Sequence, residues 1–90
     1  MLEMIVLFEH RCPTCNMMMP LIEEVAEDYA DKMEVTWIDT ELHPQAMGDY
    51  GAEVVPTIIL RRDQTEVARM AGMIGETLLR ERIEKNACIS

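Results

Sequence analysis

Cys12 and Cys15 are the residues of this chain whose type and spacing promise chemistry. They stand in His10-Arg11-Cys12-Pro13-Thr14-Cys15, directly after the apolar run Met4-Ile5-Val6-Leu7-Phe8 and directly before a helical pattern. A strand that delivers two cysteines into the first turn of a helix sets the leading sulfur against backbone N–H groups with no partner inside the helix, and against the positive end of the helix dipole. Thiolate is favoured there, and thiolate is the species that attacks a disulfide. The placement makes Cys12 the candidate nucleophile and Cys15 the candidate resolving thiol. Pro13 suits an early helix position, where its missing N–H costs nothing. Zinc is the competing use of this spacing, but a structural zinc site takes four ligands, and Cys88, His10 and His43 are scattered without forming a second ligand pair. No metal or other cofactor is expected.

The rest of the composition narrows the setting. Ninety residues, 49% of them hydrophobic, suffice for one modest core and one domain over 1–90. A formal charge of −9 argues against a surface for nucleic acid or anionic membrane, which needs an excess of Lys and Arg; the expected partners are neutral or basic proteins. No apolar run approaches the ~20 residues that span a bilayer. Met1-Leu2-Glu3 opens without the basic region and long apolar stretch of an export signal. Three cysteines in such a chain are not a disulfide framework, so the expected location is cytoplasmic, a reducing compartment in which a dithiol can cycle.

The elements that must position the cysteines follow from periodicity. The run at residues 4–8 fits a strand buried on both faces at the centre of an α/β sheet. Met18, Leu21, Ile22, Val25 and Tyr29 recur at helical spacing, with Glu23, Glu24, Glu27 and Asp28 opposite them. Pro20 is expected to kink that helix without breaking it. Glu34 to Asp39 is rich in β-formers and predicts a second strand, parallel to the first through a right-handed crossover. Residues 43–50 predict a short helix ended by Gly51 in a left-handed cap. Trp37 and Tyr50 read as packing residues and not as chemistry. Ile58 to Arg61 and Glu66 to Met70 predict a hairpin turning at Arg62-Asp63-Gln64-Thr65. In the last helix, with Gly75 as its N-cap, Leu78, Leu79, Arg82 and Ile83 are expected to share a face, Arg82 reaching for water.

Taken together, the β-α-β-α-β-β-α order resembles the thioredoxin superfamily along essentially the whole chain. Five features carry the resemblance: Cys12-Pro13-Thr14-Cys15 after the first strand, Pro20 five residues past the second cysteine, Asp39 closing the second strand, Val55-Pro56-Thr57, and Gly72 after the hairpin. The element order and the right-handed crossover predict a four-stranded mixed sheet in order 2-1-3-4, with the long and last helices on one face and the short helix on the other. The resemblance implies a cis Val55-Pro56 bond and a substrate groove built from Pro13, Val55, Pro56, Gly72 and Met73, in which Val55 offers its backbone to an extended substrate. Relatives commonly carry Trp, a buried Asp and Gly-Pro where this chain has Arg11, Val6 and Pro13-Thr14. Proline as the first residue between the cysteines is similar to glutaredoxins, as is the small size. The stretch Gly72-Met73-Ile74-Gly75-Glu76, however, lacks their Gly-Gly-x-Asp-like glutathione site.

The function this implies is a thiol-disulfide oxidoreductase in electron transport, reducing protein disulfides through the Cys12/Cys15 dithiol as a monomer. Its electron donor would be a thioredoxin reductase-like enzyme or glutathione. The alternatives are a glutathione-dependent reductase, a metal or iron-sulfur module using the Cys-x-x-Cys across a dimer, and a redox-dead adaptor. Cys88 is the odd cysteine. A helix running away from the active-site loop carries it roughly 18 Å from that end, whereas a disulfide needs Cα atoms within about 7 Å. The variant Cys88→Ser is therefore expected to keep full turnover while losing any disulfide-linked dimer on a non-reducing gel.

Overall fold

β1 (Leu2–Phe8) is enclosed on every side. On one edge it runs parallel to β2 (Met33–Asp39), in register from Leu2 opposite Met33 to Phe8 opposite Asp39. On the other edge it runs antiparallel to β3 (Thr57–Arg62), which pairs in turn with β4 (Thr65–Ala71), giving the sheet order β2-β1-β3-β4. The computed structural model describes residues 1–87, so Cys88 and the expectation attached to it lie outside the described residues. The remaining elements are α1 (Pro13–Asp28), α2 (Gln45–Asp49) and α3 (Glu76–Ala87). This is the thioredoxin fold that the element order implied.

Alternation along β1 divides the interior in two, because successive side chains of a strand point to opposite faces. Leu2, Met4 and Val6 pack with Met18, Ile22 and Val25 of α1 and with Leu79 and Ile83 of α3. Ile5 and Leu7 pack with Ile59 and with Ala46 of α2. The two long helices thus cover one face and the short helix the other. Arg80 ties α3 to α1, its guanidinium reaching Asp28 at 2.9 Å and Glu76 at 2.8 Å, and the Tyr29 hydroxyl donates to Glu84.

The junctions obey local chemistry. α1 continues through Pro20 as one helix. Gly51, at φ 63°, ends α2: its N–H donates to Gly48 and the Ala52 N–H to Met47, the paired bonds of a Schellman cap. The β3–β4 hairpin turns on Asp63 and Gln64, both at positive φ, as a two-residue turn matching strand twist requires. Gly75 accepts the Leu79 N–H, as an N-cap carbonyl should.

Two expectations about packing are corrected. Leu78 and Arg82 do not share the buried face with Leu79 and Ile83; both are exposed, because α3 turns only a narrow stripe toward the sheet. Trp37 is exposed on β2, which lies at the edge of the sheet among the described residues. Ile22 is fully buried between α1 and the sheet. Ile22→Ala is expected to lower stability by about 2–5 kcal/mol, read as a lower urea midpoint at unchanged m, whereas exposed Val67→Ala should change it by no more than about 0.5 kcal/mol.

Candidate active site

The last residue of β1 and the first of α1 are separated by only four residues, and the cysteines lie at this junction. Cys12 is the N-cap of α1, extended at φ −88° and ψ 116°, with Pro13 opening the helix. Its sulfur accepts the Cys15 N–H at 3.2 Å, taking the place a serine or aspartate oxygen usually holds at a helix start. Cys12 is half-buried, and Cys15, one turn inside, is 0% exposed. Burial first, and then the hydrogen bond to the Cys12 sulfur, push the Cys15 thiol up from an ordinary value of 9.0 to about 11. The backbone of Glu9 pulls the other way, while the charge of the Glu9 carboxylate adds a small push upward.

The second wall comes from the segment before β3. The Val55–Pro56 peptide bond is cis, and the Val55 carbonyl accepts from the Cys12 sulfur at 3.6 Å. Thr57 braces the bend, its hydroxyl donating to the Val54 carbonyl at 2.6 Å. The Gly72 N–H donates to the Pro56 carbonyl at 2.8 Å, which sets the loop after β4 beside the proline. Gly72 stands at φ 76° with open space where a Cβ would be, so its backbone conformation, and not crowding, calls for glycine. Met73 beside it is 65% exposed. Pro13 is exposed, Val55 is half-buried and Pro56 is buried. Cys12, Cys15 and Val55 are thus joined by direct bonds, Pro56 and Gly72 by a backbone bond, and Pro13 and Met73 adjoin them in the chain.

The turn rests on polar struts that no sequence motif marks. His10 Nε2 lies 3.2 Å from Asp39, the His10 N–H donates to Glu41 at 3.0 Å, and Arg11 lies 3.5 Å from Glu41. The Asn16 amide donates to the His10 carbonyl at 3.2 Å, and Thr40 donates from both its N–H and its hydroxyl to the Phe8 carbonyl. The available signal was the polar run Asp39-Thr40-Glu41 closing a strand parallel to β1, because in-register parallel strands end side by side. Among the described residues, no three His, Cys, Asp or Glu side chains converge as a metal-binding group.

A buried thiol one helical turn inside α1, a capping thiol after the central strand and a sheet in order 2-1-3-4 define a thioredoxin-fold thiol-disulfide oxidoreductase. The family model for thioredoxin matches residues 2–85, and the chain belongs to the thioredoxin family, whose members are protein-disulfide oxidoreductases. It is 28% identical to thioredoxin 1 of Synechococcus elongatus over 75 residues, 83% of this chain and 70% of that one. It is 38% identical to a chloroplastic thioredoxin of Arabidopsis thaliana over 73 residues, 81% of this chain and 42% of that one. A mutant thioredoxin from Halobacterium salinarum superposes with a TM-score of 0.88 at 26% identity, over 99% of this chain and 77% of that one. Fasciola hepatica thioredoxin superposes at 0.84 with 28% identity, over 93% and 79%. Among the described residues, no helix is long and apolar enough to cross a membrane.

The two thiols should separate under alkylation. Iodoacetamide added to the reduced protein near neutral pH is expected to label Cys12, with Cys15 labelled only as the pH approaches about 11 or once the chain unfolds. Because the folded-state value of Cys15 is raised, its contribution to the stability of the reduced protein is fully present below about 9 and lost as the pH climbs through about 11. Urea midpoints across that window provide the check.

Proposed function

We propose that Cys12 is the nucleophile and Cys15 the resolving thiol of a protein-disulfide reductase, and that the 90 residues work as one thioredoxin-like domain. The observation that carries the assignment is the N-cap arrangement, in which the half-buried Cys12 sulfur takes an N–H bond from Cys15 while Cys15 itself is buried. Cys12 thiolate attacks one sulfur of the substrate disulfide, forming a mixed disulfide and releasing the first substrate thiolate, which takes up a proton. Cys15 then gives up its proton and attacks the Cys12 sulfur, closing the Cys12–Cys15 disulfide and releasing the second substrate thiolate. Two electrons pass from the protein dithiol to the substrate. A raised Cys15 value keeps that thiol in reserve until the first step is complete.

Pro13, Val55, Pro56, Gly72 and Met73 form the substrate groove in this reading. The Val55 carbonyl is held by the Cys12 thiol only while that thiol keeps its proton. Ionisation of Cys12 frees the carbonyl to accept a backbone N–H from an extended substrate. The electron donor is a thioredoxin reductase-like enzyme, and the protein works in the cytoplasm as a monomer on disulfide-bearing proteins.

Cys15→Ser is expected to accumulate a covalent adduct with a disulfide substrate, visible by mass spectrometry and released by dithiothreitol, while turnover is lost. Cys12→Ser is expected to form no adduct; an adduct on Cys15 in that variant would reverse the assignment. Reduction of insulin disulfides driven by NADPH and thioredoxin reductase, but not by glutathione with its own reductase, is the expected outcome for the donor.

A further inference from the structure

The open edge of β4 and the exposed side of α3 enclose a groove of about 320 Å³. Its apolar lining includes Val67, Met73 and Leu78, which are 37%, 65% and 40% exposed. Its charge runs against the rest of the molecule. Arg69, Arg82 and Lys85 line it, three of the eight Lys and Arg residues, while none of the seventeen Asp and Glu residues does. Arg69 is engaged: its guanidinium holds Glu66 at 2.8 Å and 2.9 Å and reaches the Tyr50 and Gly51 carbonyls. Arg82 and Lys85 are exposed, and neither has an ion-pair partner among the described residues.

We infer that this groove is a docking surface for an acidic, extended segment of the disulfide-bearing protein substrate, lying along β4 with its carboxylates on Arg82 and Lys85. The inference rests on the proposed substrate groove, because Met73 belongs to both surfaces and makes them continuous. From Glu76 at the start of α3 to Lys85 the helix rises about 14 Å at ~1.5 Å per residue. A strand covers that distance in about four residues at ~3.3 Å each, so a substrate chain leaving the active-site loop reaches both cations with a short extension. β4 is an edge strand, and among the described residues no strand pairs with its open side, whose N–H and C=O groups can take such a segment. Val67 and Leu78 supply apolar contact for the side chains between the carboxylates. A net charge of −9 disfavours an acidic partner on the molecule as a whole, so the cations of this groove help to select where the segment lies as well as which segment lies there.

The test uses synthetic peptides with one cysteine in a mixed disulfide to a chromogenic thiol, identical next to the cysteine. One carries a glutamate tract on the N-terminal side, one carries it on the C-terminal side, and one carries serine instead. At low ionic strength the wild-type protein is expected to favour one of the two acidic peptides over the serine peptide by roughly tenfold in kcat/KM, the size of two exposed ion pairs, and to lose that preference at high salt. Charge reversal at Arg82→Glu and Lys85→Glu is expected to abolish the preference and leave the serine peptide's turnover unchanged. Equal ratios in wild type and variant, or slower reduction of both acidic peptides, would overturn the docking surface alone. Failure of the wild-type protein to reduce any of the three peptides would place the fault in the proposed substrate groove itself, and loss of turnover for all three in the variant alone would overturn the docking surface. A concentration-dependent dimer in sedimentation that the charge reversal dissolves would make a second copy the occupant and overturn the proposal.

Discussion

β1 has a partner on each edge and a core on each face, and the geometry of the active site depends on that enclosure. A strand paired on both sides cannot slip without losing two ladders at once. Its period of two also means that a one-residue slip would put Met4 and Val6 on the α2 side and Ile5 and Leu7 on the α1 side. The position of Phe8 is therefore fixed, and with it the start of the turn that carries Cys12. β2 ends in register with β1, so Asp39, Thr40 and Glu41 arrive beside that turn and hold it from below.

The difference between the two cysteines is a consequence of depth in one helix. Cys12 caps α1 and keeps part of its surface in solvent, while Cys15 lies one turn inside and is sealed by the core. Burial disfavours a charged sulfur, and the Cys12 sulfur gives the Cys15 proton somewhere to point. Two chemically identical side chains three residues apart thus differ in readiness, which is what a two-step exchange requires. Among the acids it is Glu9 whose charge reaches Cys15.

Polar groups are distributed with equal economy. Four of the arginines are held by carboxylates: Arg11 by Glu41, Arg61 by Glu3, Arg69 by Glu66, and Arg80 by Asp28 and Glu76. The pairs with Glu3, Asp28 and Glu41 join separate elements and orient them. Exposed pairs of this kind add only about 0–1 kcal/mol each, so the two apolar cores carry the fold and the pairs set its details.

The chain by itself determined the element order, the buried central strand, the helix that begins at the cysteines and the identity of the two thiols. Each of these rests on local pattern: apolar run, helical period, proline and glycine punctuation. The pairing of β1 with β3 is non-local, and it is what brings Val55 to Cys12 across 43 positions of sequence and the Gly72 N–H to the Pro56 carbonyl. Local pattern does not single out Val55, Pro56, Gly72 and Met73, which are reached only through family resemblance, because nothing in their own neighbourhood marks them as lying near the dithiol turn. The exposure of Leu78 and Trp37 was likewise decided by tertiary structure. A helical stripe or a β-rich run tells which residues are apolar, and only the position of an element at the edge of the sheet tells whether anything is there to cover them.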